Sequence, residues 1–147
     1  MRDEVTAAAL GMYDQTGLFL LLCHRFVLMV CDMIRSRELT KYGYAVTHHL
    51  IKVLHELVMG YEIGCKFRKM VGAHPVLALL ACENRFKSLV GTFHGHRHCR
   101  LCQPSHLATY VEGVGCDDLE YCKTFFSKSN ALAASTCYTS KLHRKQA

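Results

Sequence analysis

A short, mostly apolar segment bounded by glycines, residues 58–65, constrains the fold more than any other stretch of this sequence. A long helical pattern precedes it, and a basic run over residues 66–69 follows it. Because a helix of that length suits a crossover connection, we expect the segment to be a strand parallel to an earlier one. Its one acid, Glu62, is costly to bury unless it is paired or binds a metal. A Glu at the strand end whose carboxylate reaches solvent is the simpler alternative.

Two apolar runs near the start of the chain, residues 18–23 and 26–31, are separated by His24 and Arg25. The charged break and the Val and Phe content favour an antiparallel hairpin, although a single buried helix fits the same residues. The continuous apolar character predicts strands that are buried on both faces. Each run is far shorter than the roughly 20 residues of a membrane helix, so we expect no membrane span.

The clearest helix follows, with Ser36 as its expected N-cap and Gly60 as its expected C-cap. Apolar side chains recur at every third or fourth position from Leu39 to Leu57. Further along, we expect short helices over 66–71, after Pro75 and over 104–112, a strand over 87–93, a helix over 119–127, and a last helix, cut short, over 141–147. This order predicts an α/β fold with a mixed sheet in one domain spanning residues 1–147.

The composition is typical of an intracellular globular domain. Hydrophobic residues make up 50% of the 147 positions and charged residues 20%, which excludes a disordered chain. The nine cysteines mostly stand beside apolar residues, and no signal peptide is evident. Together these features predict buried free thiols in a reducing compartment rather than a disulfide framework. The net charge of +6 fits either a polyanion-binding surface or an ordinary solvated basic face.

Three acids lie at notable places in this order: Asp14 at the start of the hairpin, Glu62 in the strand after the long helix, and Glu120 on the late helix. Their spacings are 48 and 58 residues. Two divalent ions bridged by carboxylates activate water or a 3′-hydroxyl in phosphoryl transfer, and magnesium requires such oxygen ligands. Any three acids in a chain of this length could be grouped in this way, so the spacing alone does not identify a site.

Histidines and cysteines cluster between residues 94 and 106. The pair Cys99-x-x-Cys102 could bind zinc tetrahedrally with nearby histidines, although no second such pair completes a finger pattern. In the alternative interpretation, these side chains contact phosphate near the acids or pack in the core. The candidate zinc ligands are His94, His96, His98, Cys99, Cys102 and His106.

Basic side chains flank these two candidate sites. Those most suited to track a DNA backbone, with salt-dependent affinity, are Lys66, Arg68, Lys69, Arg97 and Arg100. An ordinary solvated surface explains them equally well.

Five blocks of the sequence resemble, in order, the Kyakuja–Dileera–Zisupton (KDZ) transposases, a family common in fungal genomes. They are DQTGLF (14–19), CDMIRSRELTKY (31–42), YEIGCKF (61–67), FHGH (93–96) with LCQ (101–103), and DLE (118–120) with FFSKSN (125–130). The resemblance implies a ribonuclease-H-like core with a DDE-type acid triad. It also implies Mg²⁺- or Mn²⁺-dependent cutting and joining of DNA at transposon ends and target, in the nucleus. By motif, Asp14, Glu62 and Glu120 match the three catalytic, metal-binding acids.

The chain also departs from the family pattern. Glu62 stands where the family usually has Asp, which adds about 1.5 Å of reach. Lys123-Thr124 replaces the usual Glu-Arg after the third acid, and the chain begins and stops close to the outer acids. We therefore expect a degenerate or truncated copy, incomplete at both ends, with weak or absent catalysis. One alternative is a non-catalytic DNA-binding or protein-interaction remnant that keeps the fold without the chemistry, with or without zinc. Another is a zinc-stabilised binding module built on residues 94–106. The sequence sets neither the oligomeric state nor the DNA target.

Overall fold

The computed structural model describes residues 14–24, 26–136, 139–140 and 142–143. Its strands are β1 (Gln15–Cys23), β2 (Phe26–Ile34), β3 (Val58–Gly60) and β4 (Lys87–Leu89). Its α-helices are α1 (Thr40–Ile51), α2 (Gly64–Gly72), α3 (Leu77–Glu83), α4 (Thr92–Gly95), α5 (Gln103–His106), α6 (Tyr121–Ser129) and α7 (Ala133–Thr136). Two 3₁₀ turns, Ala108–Tyr110 and Asn130–Leu132, complete the described elements.

The predicted hairpin is confirmed. Strands β1 and β2 pair antiparallel, with Leu20 opposite Val30, and a two-residue connection joins them. His24 lies in that connection with φ 51°, the left-handed conformation that tight hairpin turns require. The single buried helix that fits the same residues is thereby excluded.

The expectation that the hairpin strands are buried on both faces is wrong: β1 is only partly buried, with Leu18 48% exposed, and β2 is mostly exposed. Phe26 is 75% exposed, and Val27, Leu28, Val30 and Ile34 are also exposed. The physical reason lies in the pairing: within the described part of the chain, β1 and β2 form a sheet of only two strands. A single hairpin has two edges, and none of the described elements covers the outer face of β2.

Helix α1 confirms the clearest helical pattern but not its predicted ends. It begins at Thr40, and its N-cap residue Leu39 makes no side-chain capping bond. The Ser36 hydroxyl lies instead 2.8 Å from the Tyr42 hydroxyl, so it is not the cap. The helix ends at Ile51 with Lys52 as C-cap, well before Gly60. The residues between Ile51 and β3 are mostly exposed, so the apolar periodicity there does not mark a buried helical face.

Strands β3 and β4 form a second, parallel pair, in which Met59 is opposite Ser88. The expected parallel partner was an earlier strand reached through the long helix; the observed partner is the later strand β4, reached through α2 and α3. The described strands therefore form two small two-stranded sheets rather than one mixed sheet. The fold is mixed α/β, and Glu62 lies in the turn after β3 rather than within the strand.

The hydrophobic core lies around α2. Phe67 is completely buried, and it packs with Ile51 of α1, Leu77 of α3 and Phe86 before β4. The first residue of α2, Gly64, lies against the Leu89 carbonyl of β4, where an added Cβ would overlap the backbone. Close packing of α2 on β4 thus fixes the turn that carries Glu62.

The cysteines do not occupy this core. The eight described cysteines are free, as expected, but each is exposed or only partly buried, so the expectation of buried thiols is wrong. The core positions are filled by larger apolar side chains such as Phe67 and Leu89. The helix expected over 141–147 falls largely outside the described residues. No helix in the described ranges is long and apolar enough to cross a membrane.

Candidate functional site

The Glu120 carboxylate is positioned by a tight loop that precedes α6. Asp117 and Asp118 accept hydrogen bonds from the backbone N–H groups of Leu119 (2.8 Å) and Glu120 (3.0 Å). Leu119 has φ 55°, a strained value for this residue type, and its side chain packs on Gly60 at the end of β3. Glu120 is the N-cap residue of α6 rather than a residue inside the helix. The loop therefore brings the late acid to the β3 strand end.

His94 joins two of the three predicted acids. Its Nε2 lies 3.1 Å from Oε1 of Glu62, and its Nδ1 lies 3.3 Å from Oε1 of Glu120. A neutral imidazole has one N–H, so both contacts are hydrogen bonds at the same time only when the ring is an imidazolium. Two acids that are far apart in sequence thus share one histidine.

The two carboxylates differ in burial. The Glu120 side chain is 12% exposed, whereas the Glu62 side chain is 69% exposed. Glu120 also accepts a hydrogen bond from the backbone N–H of Phe93 (3.2 Å) and lies directly on Gly91, where an added Cβ would overlap it. Glu62 therefore combines both alternatives considered for it, because it is paired with His94 and also reaches solvent.

The first predicted acid has a different partner. Asp14 accepts a hydrogen bond from Arg35 (2.9 Å), and both side chains are about two-thirds exposed. Sequence inspection did not identify Arg35 as a partner, although it lies in the second block that resembles the family. An exposed ion pair of this kind contributes little to stability but offsets the charge of the carboxylate.

An open depression of about 390 Å³ adjoins Glu120. It is lined by Thr92, Phe93, His96, Asp118, Glu120 and Lys123. The Lys123 ammonium lies over the ring of Phe93. A cation therefore stands on the same surface as the acid, at the position where the family pattern has an acid.

Tyr61 lies beside Glu62 and remains protonated. Burial, together with the neighbouring Glu38 and Glu62 carboxylates, raises the pKa of its hydroxyl above the ordinary value. The hydroxyl donates a hydrogen bond of 2.7 Å to Glu38. The ring also packs edge-on against Phe19 of β1 and Phe67 of α2, so the turn that carries Glu62 is held from both sides.

A second cluster, of cysteine and histidine side chains, adjoins the backbone of Glu62. The ligand atoms of Cys65, His98 and Cys102 all lie within 4.8 Å of one another, and among the described residues this is the group that could hold a metal ion. His98 Nδ1 lies 3.3 Å from Cys65 Sγ and 3.6 Å from Cys102 Sγ. The group is compatible with zinc. Asp14, Glu62 and Glu120 do not form such a group in this structure.

The six residues named as zinc candidates from the sequence therefore have different environments. His98 and Cys102 join the cluster, His94 bridges the acids, and His106 faces the Cys102 carbonyl oxygen at 3.3 Å. Cys65 was missed, because it lies 33 residues before His98 in the sequence. The signal available was the incomplete Cys99-x-x-Cys102 pattern, which required a further ligand from elsewhere in the chain.

The Cys102 thiol is electrostatically perturbed by its surroundings. Partial burial and the neighbouring Cys65 thiol raise the pKa of Cys102 to about 11, while Lys69 acts in the opposite direction. Without a metal, this thiol remains protonated at neutral pH. The influence of Lys69 also places one of the candidate DNA-contacting cations near this cluster.

The five candidate DNA-contacting side chains are all exposed. Three of them lie on α2 and two lie in the segment between α4 and α5: Lys66, Arg68, Lys69, Arg97 and Arg100. Within the described part of the chain, none of the five forms an ion pair with a carboxylate. Both segments also carry ligand atoms of the cysteine–histidine cluster, so the basic groups stand on the elements that surround it.

Comparison with known proteins identifies one family. The model of the Kyakuja-Dileera-Zisupton transposase family matches residues 1–147. No curated protein matches the chain, and no solved structure does.

Proposed function

This chain belongs to the KDZ transposase family, and we propose that it is a transposase-derived domain with a DDE-type acidic site whose DNA cleavage is weak or lost. The proposed ancestral reaction is metal-dependent DNA strand cleavage and transfer on a ribonuclease-H-like core. The proposed site consists of Asp14, Glu62 and Glu120. As for other members of a transposase family, we expect DNA as the partner, and we propose a nuclear location and a fungal-type lineage.

The observation that carries this proposal is the shared contact of Glu62 and Glu120 with His94. These two acids come from different elements, one after β3 and the other before α6. Nothing in the packing of the core requires them to meet, since one of the two carboxylates is largely solvent-exposed. Convergence of two acids at the end of a parallel strand is the arrangement that a carboxylate metal site requires.

The acids fit the donor chemistry of Mg²⁺ or Mn²⁺, which prefer carboxylate oxygens. Glu62, Glu120 and Asp14 would hold the ions, which supply activation of water or a 3′-hydroxyl when bound. His94 contacts both Glu carboxylates, and Arg35 donates a hydrogen bond to Asp14. These contacts orient the carboxylates in the absence of metal.

The same contacts support impaired catalysis. The His94 ring between two carboxylates, and the Arg35 guanidinium on the third, occupy oxygens that a divalent cation would need. Glu62 has one methylene more than Asp, and a misplacement of about 1 Å can reduce the rate about a hundredfold. Lys123 adds a cation beside Glu120.

A nicking assay on supercoiled DNA with Mn²⁺ tests the proposal. We expect the wild-type chain to nick slowly or not at all, and any nicking to disappear in Asp14→Asn and Glu120→Gln. Glu112→Gln, which changes an exposed acid away from the site, is the matched control and should behave as wild type. Measurable nicking that is equal in wild type and Asp14→Asn would exclude catalysis by these acids.

The second candidate is a non-catalytic DNA-binding remnant, favoured by the five exposed cations on α2 and the segment between α4 and α5, which pair with no acid among the described residues. In this case duplex DNA should bind equally well in chelator and in Mn²⁺, and Asp14→Asn should bind like wild type. Binding that requires the divalent ion and the acids would favour the catalytic site instead. The two outcomes are distinguished by one fluorescence-anisotropy titration under each condition.

A further inference from the structure

We propose that Cys65, His98 and Cys102 bind one structural zinc ion that fastens the Glu62 turn to the segment between α4 and α5. Zinc prefers thiolate and imidazole ligands, and three of these converge here from two segments of the chain. Two thiolates and one neutral imidazole also balance the charge of Zn²⁺ at a partly buried position. The inference does not depend on whether the acids cleave DNA.

The orientation of His98 is the strongest argument for a metal. Its Nε2 lies 3.1 Å from the backbone carbonyl oxygen of Glu62. A carbonyl only accepts, so this contact is a hydrogen bond when Nε2 carries the proton. Nδ1 then presents its lone pair to both cysteine sulfurs. Histidines that bind metals characteristically donate their other N–H to a carbonyl or carboxylate in this way.

The fourth position of a tetrahedral zinc ion requires a further ligand. Cys99 is the protein candidate, because its C-x-x-C spacing to Cys102 is typical of zinc sites and its side chain is exposed. Water is the other candidate. Binding displaces the protons of the thiols that coordinate the ion, so the thiols become thiolates as the metal enters.

The location of the cluster gives the ion a structural role. Cys65 is the second residue of α2 and lies three positions after Glu62, while His98 bonds the Glu62 carbonyl directly. His94, which contacts the Glu62 carboxylate, lies in α4 just before His98. A zinc ion at this point would hold both partners of the Glu62–His94 contact in place.

Metal analysis of the purified full chain is the first test. We expect about one zinc per chain by plasma mass spectrometry, retained through dialysis and removed by a strong chelator. Cys65→Ser and Cys102→Ser should each lose most of the zinc. Cys82→Ser and Cys116→Ser, which change exposed cysteines outside the cluster, are the matched controls and should keep it. Zinc content near zero in zinc-supplemented wild type would overturn the proposal, as would wild-type content in Cys65→Ser.

Thiol protection tests the same site in the unsubstituted chain. This test therefore does not depend on whether a variant folds. Because the free thiolate is the reactive species, coordination should slow alkylation of Cys65 and Cys102 by iodoacetamide at least about tenfold. Chelation should remove this protection, while Cys82 and Cys116 should react at the same rate in both states. Equal alkylation of Cys65 with and without chelator would overturn the proposal.

Substitution of the zinc by Co²⁺ reports the number of thiolate ligands. The charge-transfer absorption of a Co²⁺–thiolate site scales with the number of thiolates, so Cys99→Ser separates Cys99 from water as the fourth ligand. Nicking that persists unchanged in Asp14→Asn with zinc retained would contradict only the proposed function, and absence of zinc with DNA binding retained would contradict only this inference. The two proposals therefore fail independently.

Discussion

At the scale of single residues, Glu120 is the most buried of the three candidate acids. Its carboxylate is 12% exposed and contacts His94, while the Phe93 N–H donates to the same oxygen. Glu62 contacts the same histidine but is 69% exposed. Substituting each acid by alanine should therefore lower the free energy of unfolding by unequal amounts, although both acids belong to one proposed site.

Glu120→Ala should lower the free energy of unfolding by about 1–3 kcal/mol, because it removes a partner from His94 and from a backbone N–H. Glu62→Ala should change it by less than about 0.5–1 kcal/mol, since water already solvates that carboxylate. Urea denaturation at neutral pH measures both values. Equal costs would contradict the burial difference between the two acids.

Gly91 permits the contact between Glu120 and the start of α4. Its φ of −64° suits any residue, so Gly91→Ala adds no backbone strain. The added methyl would instead overlap the Glu120 carboxylate and displace it, at a cost of about 1–3 kcal/mol. A double-mutant cycle is the control: most of that cost should disappear in the Glu120→Ala background. A cost that persists there would assign the effect to other neighbours.

At the scale of elements, the sequence predicted which segments form strands and helices better than where they end. The two apolar runs around His24 were sufficient for the hairpin, because local turn chemistry determines it. The start of α1 was not predictable, because the Ser36 hydroxyl pairs with Tyr42 instead of capping the helix. The parallel pairing of β3 with β4 joins strands that α2 and α3 separate in the chain, and no local pattern encodes it.

The candidate site was likewise predicted from the sequence only in part. The three acids and the histidines around residue 94 were named as candidates from residue type and family resemblance, and their catalytic role stays a prediction. The bridging role of His94 depends on the loop that brings Glu120 to the end of β3, which is a tertiary feature. Cys65 was not identified, because its cluster partners lie 33 or more residues away.

The two glycines at the ends of α2 provide an element-scale test of how that helix packs. Gly64→Ala should destabilise the chain by about 1–3 kcal/mol, because the new Cβ would overlap the backbone of Leu89, which cannot rotate away. Gly72→Ala is the matched control in the same helix, where nothing lies within 4 Å of the added atom. It should change stability by no more than about 0.5 kcal/mol. Similar losses in both variants would argue against close packing of α2 on β4.

At the scale of the whole molecule, the hydrophobic core and the outer face of the hairpin differ sharply in burial. The core centres on Phe67, which is fully buried, whereas Phe26 at the start of β2 is 75% exposed. The hairpin contacts the remainder through a few groups, among them Phe19 against Tyr42 and the Leu20 carbonyl near Cys122. Stability should therefore depend strongly on the core and weakly on the outer face of β2.

A matched pair of Phe→Ala substitutions measures this contrast. Phe67→Ala should cost about 3–5 kcal/mol, the range for removing a buried aromatic ring. Phe26→Ala should change the free energy of unfolding by less than about 0.5 kcal/mol. Thermal or urea unfolding of the two variants gives the comparison. A large loss in Phe26→Ala would show that the outer face of β2 is covered in solution.

The charge of the whole molecule gives the last prediction, which concerns DNA. The chain carries a net charge of +6, and its exposed cations on α2 and around residues 97–100 have no acidic partners among the described residues. Each cation that neutralises a phosphate contributes about one unit to the slope of log affinity against log salt concentration. Arg68→Ala and Arg97→Ala should therefore each reduce that slope by about one, and should weaken binding to duplexes of unrelated sequence by the same factor.

Arg85→Ala is the control, because Arg85 forms an ion pair with Glu56 at 2.7 Å. Equal slopes in all three variants would mean that the basic groups form an ordinary solvated face.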